Sequence, residues 1–544
     1  MLGLMQDWPL TVDKIADHAA RWHGEQRITS RLADGSITRQ GFAETFARAR
    51  RVSAALRSLG VGPGDRVATM AWNHAKHLET WYGTMGMGAV CHTLNPRLFT
   101  EQLSWIVNHA EDRAIVADAQ FAPLLAKILP DCPTVRDVIF LDPAELPPIG
   151  DGLRVHRYDE LVAAADPTGV IWGGFDERTA AGLCYTSGTT GNPKGVLYSH
   201  RSNFLHALMS LQADVFALSA SDVALMVVPM FHANSWGLAF AAPAVGAKLV
   251  MPGAQLDGAS LFELIEAEGV TFSAAVPTVW QGLLTYLRES GSRPTRLRKV
   301  AIGGSACPEA LIRGFWDEYG VEVIHAWGMT ELSPIGSASV IPLELQGQPY
   351  ENTVPFRLTQ GRPPIGVEMQ LSDDENRDVP HDGRAVGRLK VRGFAVAASY
   401  MGGDGQAAWD EDGWFDTGDI ASLAPDGTMR ITDRAKDVIK SGGEWISSIE
   451  IENIAVGHPD VAVAAVIGMP HPKWDERPVL LIQPRPGCTV DAHGIRGHLE
   501  GRIAKWWMPD AVVAVESIPL GATGKIDKKA LRADAERGRF GTLG

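Results

Sequence analysis

Thr186-Ser187-Gly188-Thr189-Thr190-Gly191-Asn192-Pro193-Lys194-Gly195 is the stretch whose reading decides this chain. Three glycines, a proline, four hydroxyl side chains and a lysine in ten residues describe backbone that turns tightly, exposes its N–H groups and presents a cation to a polyanion. A Walker-type phosphate loop is excluded, because Pro193 stands where its second glycine belongs and Gly195 stands where a hydroxyl must follow the lysine. The apolar runs Ala181-Gly182-Leu183-Cys184-Tyr185 and Gly195-Val196-Leu197-Tyr198-Ser199 flank the loop, so it is expected to join two strands instead of opening a helix. Read alone, the cluster fits a phosphate clamp and an ordinary surface turn equally well.

Outward from the loop, the pattern is an alternation of helices and strands. Toward the N-terminus, Val12, Ile15, Ala16 and Ala19 lie on one helical face behind Thr11 as cap, and Asp34-Gly35 marks a hairpin between residues 28–32 and 36–38. Phe42, Phe46, Ala49, Val52, Leu56 and Leu59 keep helical spacing until Gly60, and strands are expected at 66–70, 89–91, 114–116 and 138–141. After the loop, strands at 224–228, 248–251 and 299–302 and a helix at 260–268 suggest a second α/β sheet. Residues 341–387 turn to glycine, proline and short apolar runs, as expected for a small antiparallel barrel or sheet. A compact α+β unit follows. The fold class is therefore α/β, with a large N-terminal domain (1–435) of two α/β sheets plus a small β-barrel, then a small mobile α+β domain (436–544).

Length and composition agree with several cores: 544 residues exceed what one hydrophobic core supports, and 45% of them are apolar. The formal net charge of -14, without blocks of like sign, argues against a nucleic-acid binder. Five scattered cysteines (Cys91, Cys132, Cys184, Cys307, Cys488) indicate neither a zinc site nor a disulfide framework, and fit a reducing compartment. With no leader-like N-terminus and no bilayer-spanning apolar run, a soluble cytoplasmic protein is expected.

Four more segments share the loop's polar and glycine-rich character: Trp327-Gly328-Met329-Thr330-Glu331 after an apolar strand, Asp416-Thr417-Gly418-Asp419, Asp433-Arg434-Ala435-Lys436-Asp437, and Gly521-Ala522-Thr523-Gly524-Lys525. Singly, each also reads as a turn, a cap or a solvated face. In this order they resemble, over essentially the whole chain, the adenylate-forming superfamily of acyl-CoA synthetases, luciferases and adenylation domains.

The resemblance implies an acid–thiol ligase using ATP, Mg²⁺ and coenzyme A. Thr186, Ser187, Gly188, Thr189, Thr190 and Lys194 would then hold the β- and γ-phosphates. Thr330 would meet the α-phosphate, Glu331 would hold Mg²⁺ as the metal ligand, and Lys525 would serve adenylation. Gly304, Ser305, Ala306, His325, Ala326 and Trp327 match segments that sandwich adenine, and Asp419 and Arg434 match the ribose pair. Lys436 matches a hinge about which the small domain swings, bringing the loop containing Gly442, Gly443 and Trp445 toward the pantetheine tunnel. The carboxylate needs no general base, since it is already ionised at neutral pH. Three departures concern local geometry: Arg388 and Ser399 replace the family's usual residues, and His325-Ala326 precedes Trp327.

The segment Pro229-Met230-Phe231-His232-Ala233-Asn234-Ser235-Trp236-Gly237 matches the acyl-pocket wall, with His232 as a gate beside the carboxylate and Trp236 and Gly304 bordering the acid. The chain looks most like the medium-chain fatty-acid–CoA ligase branch, which includes 3-methylmercaptopropionyl-CoA ligases, and a bulky indole in the wall suggests a short- to medium-chain acid. Alternatives are an enzyme that loads a carrier protein and a non-catalytic adenylate-binding homologue. Family habit implies a homodimer.

Overall fold

The computed structural model describes every residue except 2, 143–144, 151, 187–191, 404, 406–407, 443, 522–524 and 541–544. The first sheet has seven strands, Arg154–Arg157, Asp137–Phe140, Ala114–Ala117, Arg66–Met70, Val90–Thr93, Ala180–Tyr185 and Gly195–Ser199, side by side in that order. Its pairings are parallel except for the last, where Ala180–Tyr185 and Gly195–Ser199 run antiparallel around the glycine-rich loop. The expected strand–loop–strand geometry is therefore present.

The second sheet has eight strands and is built mainly from the chain after the loop, with parallel strands Val223–Leu225, Lys248–Met251, Phe272–Ala275, Lys299–Ile302 and Glu322–Gly328. Its far edge comes from elsewhere in the chain: the hairpin Arg27–Arg31 and Ile37–Gly41, turned by Gly35 at φ 83°, adds itself parallel to Lys248–Met251, pairing Ile28 with Leu249. The helix Val12–Trp22 that precedes it buries Val12, Ile15, Ala16 and Ala19 as its periodicity dictates. Thr11 stands at its cap, yet its side chain makes no capping bond.

Between the two sheets, the helices Phe42–Ser58, Ala75–Gly86, His200–Ser210 and Leu238–Val245 form one core around Trp81, Tyr82 and Phe240. Asn73 ties the halves together where the strands end: its amide donates to Met226 O at 2.7 Å and Val228 O at 2.8 Å, and its Oδ1 accepts from Met230 N at 2.7 Å. No helix among the described residues is long and apolar enough to cross a membrane.

The region expected to form a small barrel is an open four-stranded antiparallel ladder, Val367–Ser372, Val386–Gly393, Phe415–Leu423 and Met429–Arg434. It does not close on itself because the segment at Gln360 and Gly361 already occupies the outer edge: Gln360 N donates to Met429 O, and Met429 N to Gly361 O. Arg388 pairs across this ladder with Asp416 at 2.8 Å, which gives the unusual arginine a partner. The C-terminal unit is a five-stranded sheet whose long hairpin, Val461–His471 and Asp475–Pro484, is flanked by the helices Ser448–Val456, Ala492–Leu499 and Lys528–Glu536.

Asn73→Ala leaves the buried Met226 O and Met230 N without their side-chain partner and Val228 O with Ser235 Oγ alone. A loss of roughly 2–3 kcal/mol is expected, read as a lower urea midpoint for the N-terminal unit. An unchanged midpoint would remove Asn73 from the tie between the sheets.

Candidate active site

The site lies where the first two sheets, the four-stranded ladder and the C-terminal unit meet. At the base of the loop, Thr186 N donates to Lys194 O at 2.9 Å and Lys194 N donates to Thr186 Oγ1 at 3.3 Å, so its two ends are pinned together. Ser187, Gly188, Thr189 and Thr190 lie outside the described residues. The ammonium of Lys194 sits 4.8 Å from the centre of the Tyr400 ring, and Tyr400 Oη donates to Glu331 Oε1 at 2.5 Å. One tyrosine thus links the loop's cation to the candidate metal carboxylate. Thr330 is fixed through its carbonyl, which accepts from Tyr198 Oη at 2.7 Å.

Glu331 is buried, and burial pushes its carboxyl pKa up against the opposing pull of the Tyr400 bond, Arg434 and Lys194. Among the described residues no cation stands within ion-pair distance of it, so a buried carboxylate is left for an added cation to neutralise. Mg²⁺ fits this site, since it takes one or two carboxylates and completes its shell with phosphate oxygens and water.

Asp419 and Arg434 face each other across adjacent antiparallel strands, with Arg434 Nε 2.8 Å from Asp419 Oδ1. The second oxygen of Asp419 accepts from Trp327 Nε1 at 2.9 Å, which brings a candidate adenine residue and a candidate ribose residue together. His325 is turned into the protein instead: its Nε2 accepts from Cys307 N at 3.3 Å, bracing the backbone just after Gly304, Ser305 and Ala306. Burial lowers its pKa to about 4, so the ring is neutral.

The cleft closes around Lys525. A methyl group on Gly304, whose φ is 83°, would lie 3.2 Å from Val276 Cγ1, 3.7 Å from Lys525 Cε and 3.8 Å from Trp236 Cζ2. The same indole comes within 3.1 Å of the corresponding point on Gly303, so Trp236 faces the cleft as well as the core. Ala233, Asn234, Ser235 and Trp236 hold φ of 41°, 55°, 51° and 52°, a left-handed turn costing L-residues roughly 1–2 kcal/mol each. The turn is fastened by Ser235 Oγ on Val228 O at 2.8 Å and Asn234 Nδ2 on Asn203 Oδ1 at 3.2 Å. Burial, Lys525 and Arg97 lower the His232 pKa to about 4. Its imidazole is neutral at pH 7.

Burial and the neighbouring Arg434 bring the Lys525 pKa down to about 8, while Asp419 and Glu331 pull it back up. Lys436 adds a further cation to the same neighbourhood. Lys436 is the first residue past Ala435, whose N donates to Gly418 O at 2.9 Å. The residues expected at the pantetheine tunnel are not gathered at this cleft: Gly442 packs on Trp474 and Trp506, and Trp445 lines a separate hollow with Arg377 and Arg388. Gly443 lies outside the described residues.

Sequence reasoning treated Ser399-Tyr400 as a departure from a pattern and missed what Tyr400 touches. The signal was there in a tyrosine beside small residues after a strand, but only the fold sets it against Lys194 and Glu331.

A family profile described as AMP-binding enzyme matches residues 15–401, and one described as AMP-binding enzyme C-terminal domain matches residues 450–525. The chain belongs to the AMP-binding enzyme family. A 3-methylmercaptopropionyl-CoA ligase of Ruegeria lacuscaerulensis is 49% identical to this AMP-binding enzyme over 532 residues, covering 98% of each chain. A medium-chain-fatty-acid–CoA ligase of Ectopseudomonas oleovorans is 46% identical over 98% of this chain and 97% of its own. The crystal structure of an anthranilate CoA ligase in complex with anthranoyl-AMP superposes with a TM-score of 0.87 at 25% identity, covering 98% of this AMP-binding enzyme and 100% of that chain.

A lysine with a pKa of about 8 makes a pH prediction. Lys525 is charged below that pH and neutral above it, so kcat/KM for ATP in adenylation is expected to fall as pH rises through about 8. Lys525→Arg, whose guanidinium stays charged, should flatten this alkaline limb. A limb that persists unchanged in that variant would assign it to another group.

Proposed function

We propose that this AMP-binding enzyme is an ATP-dependent acyl-CoA ligase that adenylates a short- to medium-chain carboxylic acid and passes the acyl group to coenzyme A, with 3-(methylthio)propanoate as a fitting substrate. The observation that carries the reading is the half-buried Lys525 ammonium beside Gly304, Trp236, Asp419–Arg434 and Glu331, an array suited to an anion that joins a nucleotide to an acyl group. Its likeness to the Ruegeria and Ectopseudomonas ligases supports the choice of reaction and acid.

The acid's carboxylate attacks the α-phosphorus of ATP and pyrophosphate leaves, so the protein's work is to position the reactants and stabilise charge. Thr186, Ser187, Gly188, Thr189, Thr190 and Lys194 hold the β- and γ-phosphates, and Thr330 meets the α-phosphate. Asp419, with Arg434 beside it, accepts from the ribose hydroxyls, while Gly304–Ala306 and Trp327 enclose adenine. Glu331 would hold Mg²⁺, which would supply positive charge to offset that of the triphosphate. Tyr400 keeps the Glu331 carboxylate aimed. Lys525 donates to the oxygens that join the acid to phosphorus. Neutral His232 borders the carboxylate without adding charge, and the indole of Trp236 ends the acyl pocket early.

In the second half-reaction the thiol of coenzyme A adds to the acyl carbonyl and AMP leaves. Lys525 has no part in that step. We assign residues 1–435 to the nucleotide-binding unit and 436–544 to a unit that turns about Lys436, withdrawing Lys525 and bringing the Gly442, Gly443 and Trp445 loop to the pantetheine tunnel. A homodimer in the cytoplasm completes the proposal. A panel of acids with ATP and coenzyme A, read as thioester formed, tests it: short and medium acids should give thioester, and none doing so would overturn it.

Two substitutions test the assignments within it. Lys525→Ala should lower adenylation by roughly a hundredfold to a thousandfold while sparing thioester formation from supplied acyl adenylate. Equal losses in both half-reactions would make Lys525 structural. Trp236→Ala should lower kcat/KM for butyrate-sized and methylthiopropanoate-sized acids and spare or improve longer ones, at roughly 1 kcal/mol per methylene contact. An unchanged chain-length profile in a folded variant would take Trp236 out of the pocket wall.

A further inference from the structure

We propose that Lys528 is a positioning residue for Lys525: with Glu452, Ser448 and Asp433 it forms a buried latch across the hinge that holds the C-terminal unit where Lys525 enters the cleft. This inference rests on the proposed swing about Lys436.

Lys528 Nζ lies 2.7 Å from Glu452 Oε1 and donates to Ser448 Oγ at 2.5 Å. Ser448 in turn donates twice to one oxygen of Asp433, from its N at 2.7 Å and from its Oγ at 2.6 Å. Glu452 Oε1 also accepts from Val466 N at 2.7 Å, and Asp433 Oδ1 accepts from Arg434 N at 2.8 Å. Asp433 and Ser448 are buried to 1% and 0% exposure, so water does not compete for the bonds between them, and Lys528 and Glu452 keep only 11% and 13% of their side-chain surface exposed. Asp433 also sits at the first turn of the helix Ser448–Val456, where a carboxylate is favoured. Burial opposes the charge on Lys528, but Glu452 and Asp433 outweigh it and raise the lysine's pKa.

The two sides of this network belong to different bodies. Asp433 lies in the strand Met429–Arg434, paired with Ile420 in the ladder, and Ala435 is bonded to Gly418. Ser448, Glu452 and Lys528 all follow Lys436 in the chain. A turn about Lys436 therefore pulls Ser448 away from Asp433, so the latch can close only when the C-terminal unit is docked as here. A bond from Ser447 Oγ to Thr432 O crosses the same boundary and breaks with it.

The latch also aims the catalytic lysine. Lys528 opens the helix Lys528–Glu536, capped by Asp527, and residues 525–527 just before it are bridged to residues 519–521. Gly521 N donates to Lys525 O at 2.7 Å, Asp527 N donates to Pro519 O at 2.8 Å, and Leu520 bridges to Ile526. Fixing Lys528 thus fixes Lys525.

The test compares half-reactions in the full-length enzyme. Asp433→Asn, which keeps the shape and removes the charge, and Lys528→Met are each expected to slow acid-dependent pyrophosphate release about tenfold. Both should form thioester from supplied acyl adenylate at the wild-type rate or faster, and Lys528→Arg should recover part of the lost adenylation. Equal slowing of both half-reactions, or no change in either with Asp433→Asn, would overturn the latch. Lys436→Pro separates the latch from the reading beneath it. If that variant blocks only thioester formation while Asp433→Asn changes nothing, the swing stands and the latch falls. If Lys436→Pro leaves both half-reactions intact, the swing and the latch fall together.

Discussion

The confinement of the Lys525 ammonium beside the Arg434 guanidinium is the interaction on which the rest of the site depends. Neither cation is welcome there without negative charge: burial and Arg434 bring Lys525 down to a pKa of about 8, and Asp419 and Glu331 only partly restore it. A polyanion relieves this tension, and ATP joined to an acid supplies it at the point where charge develops during adenylation. The thioester step has no such need, and the proposed swing of the C-terminal unit would take the ammonium away for it.

The other features of the cleft serve that placement. The ladder strands Phe415–Leu423 and Met429–Arg434 set Asp419 against Arg434, and Trp327 donates to the free oxygen of the same aspartate. Tyr400 joins the loop's Lys194 to Glu331, so the base of the loop and the candidate Mg²⁺ ligand are linked through one side chain. On the acyl side, a strained left-handed turn from Ala233 to Trp236 presses an indole against Gly303 and Gly304. Backbone strain of this kind persists only where the surroundings fix it, and here hydrogen bonds from Ser235 and Asn234 do so.

What was legible in the sequence followed local rules. The period of Phe42–Ser58, the stop at Gly60, the hairpin at Gly35 and the strand–loop–strand frame of the glycine-rich stretch are short-range patterns, and the fold keeps them. Long-range pairings were not legible. Nothing local says that Arg27–Arg31 crosses to Lys248–Met251, or that the Gln360 segment takes the ladder edge and leaves an open sheet where a barrel was expected. The order of the motifs carried a family resemblance, and that resemblance implied most candidate site residues, which singly also read as turns, caps or solvated faces. They did not show that His325 faces inward on Cys307, nor that Tyr400 and Lys528 matter, since those roles exist only through contacts across the fold.

In the proposed reaction an acyl adenylate forms reversibly before coenzyme A takes part. ATP–pyrophosphate exchange with 3-(methylthio)propanoate and Mg²⁺, in the absence of coenzyme A, tests it most directly. Exchange that requires the acid and proceeds without the thiol is expected. Exchange that is absent for every acid until coenzyme A is added, or that runs without any acid, would contradict it.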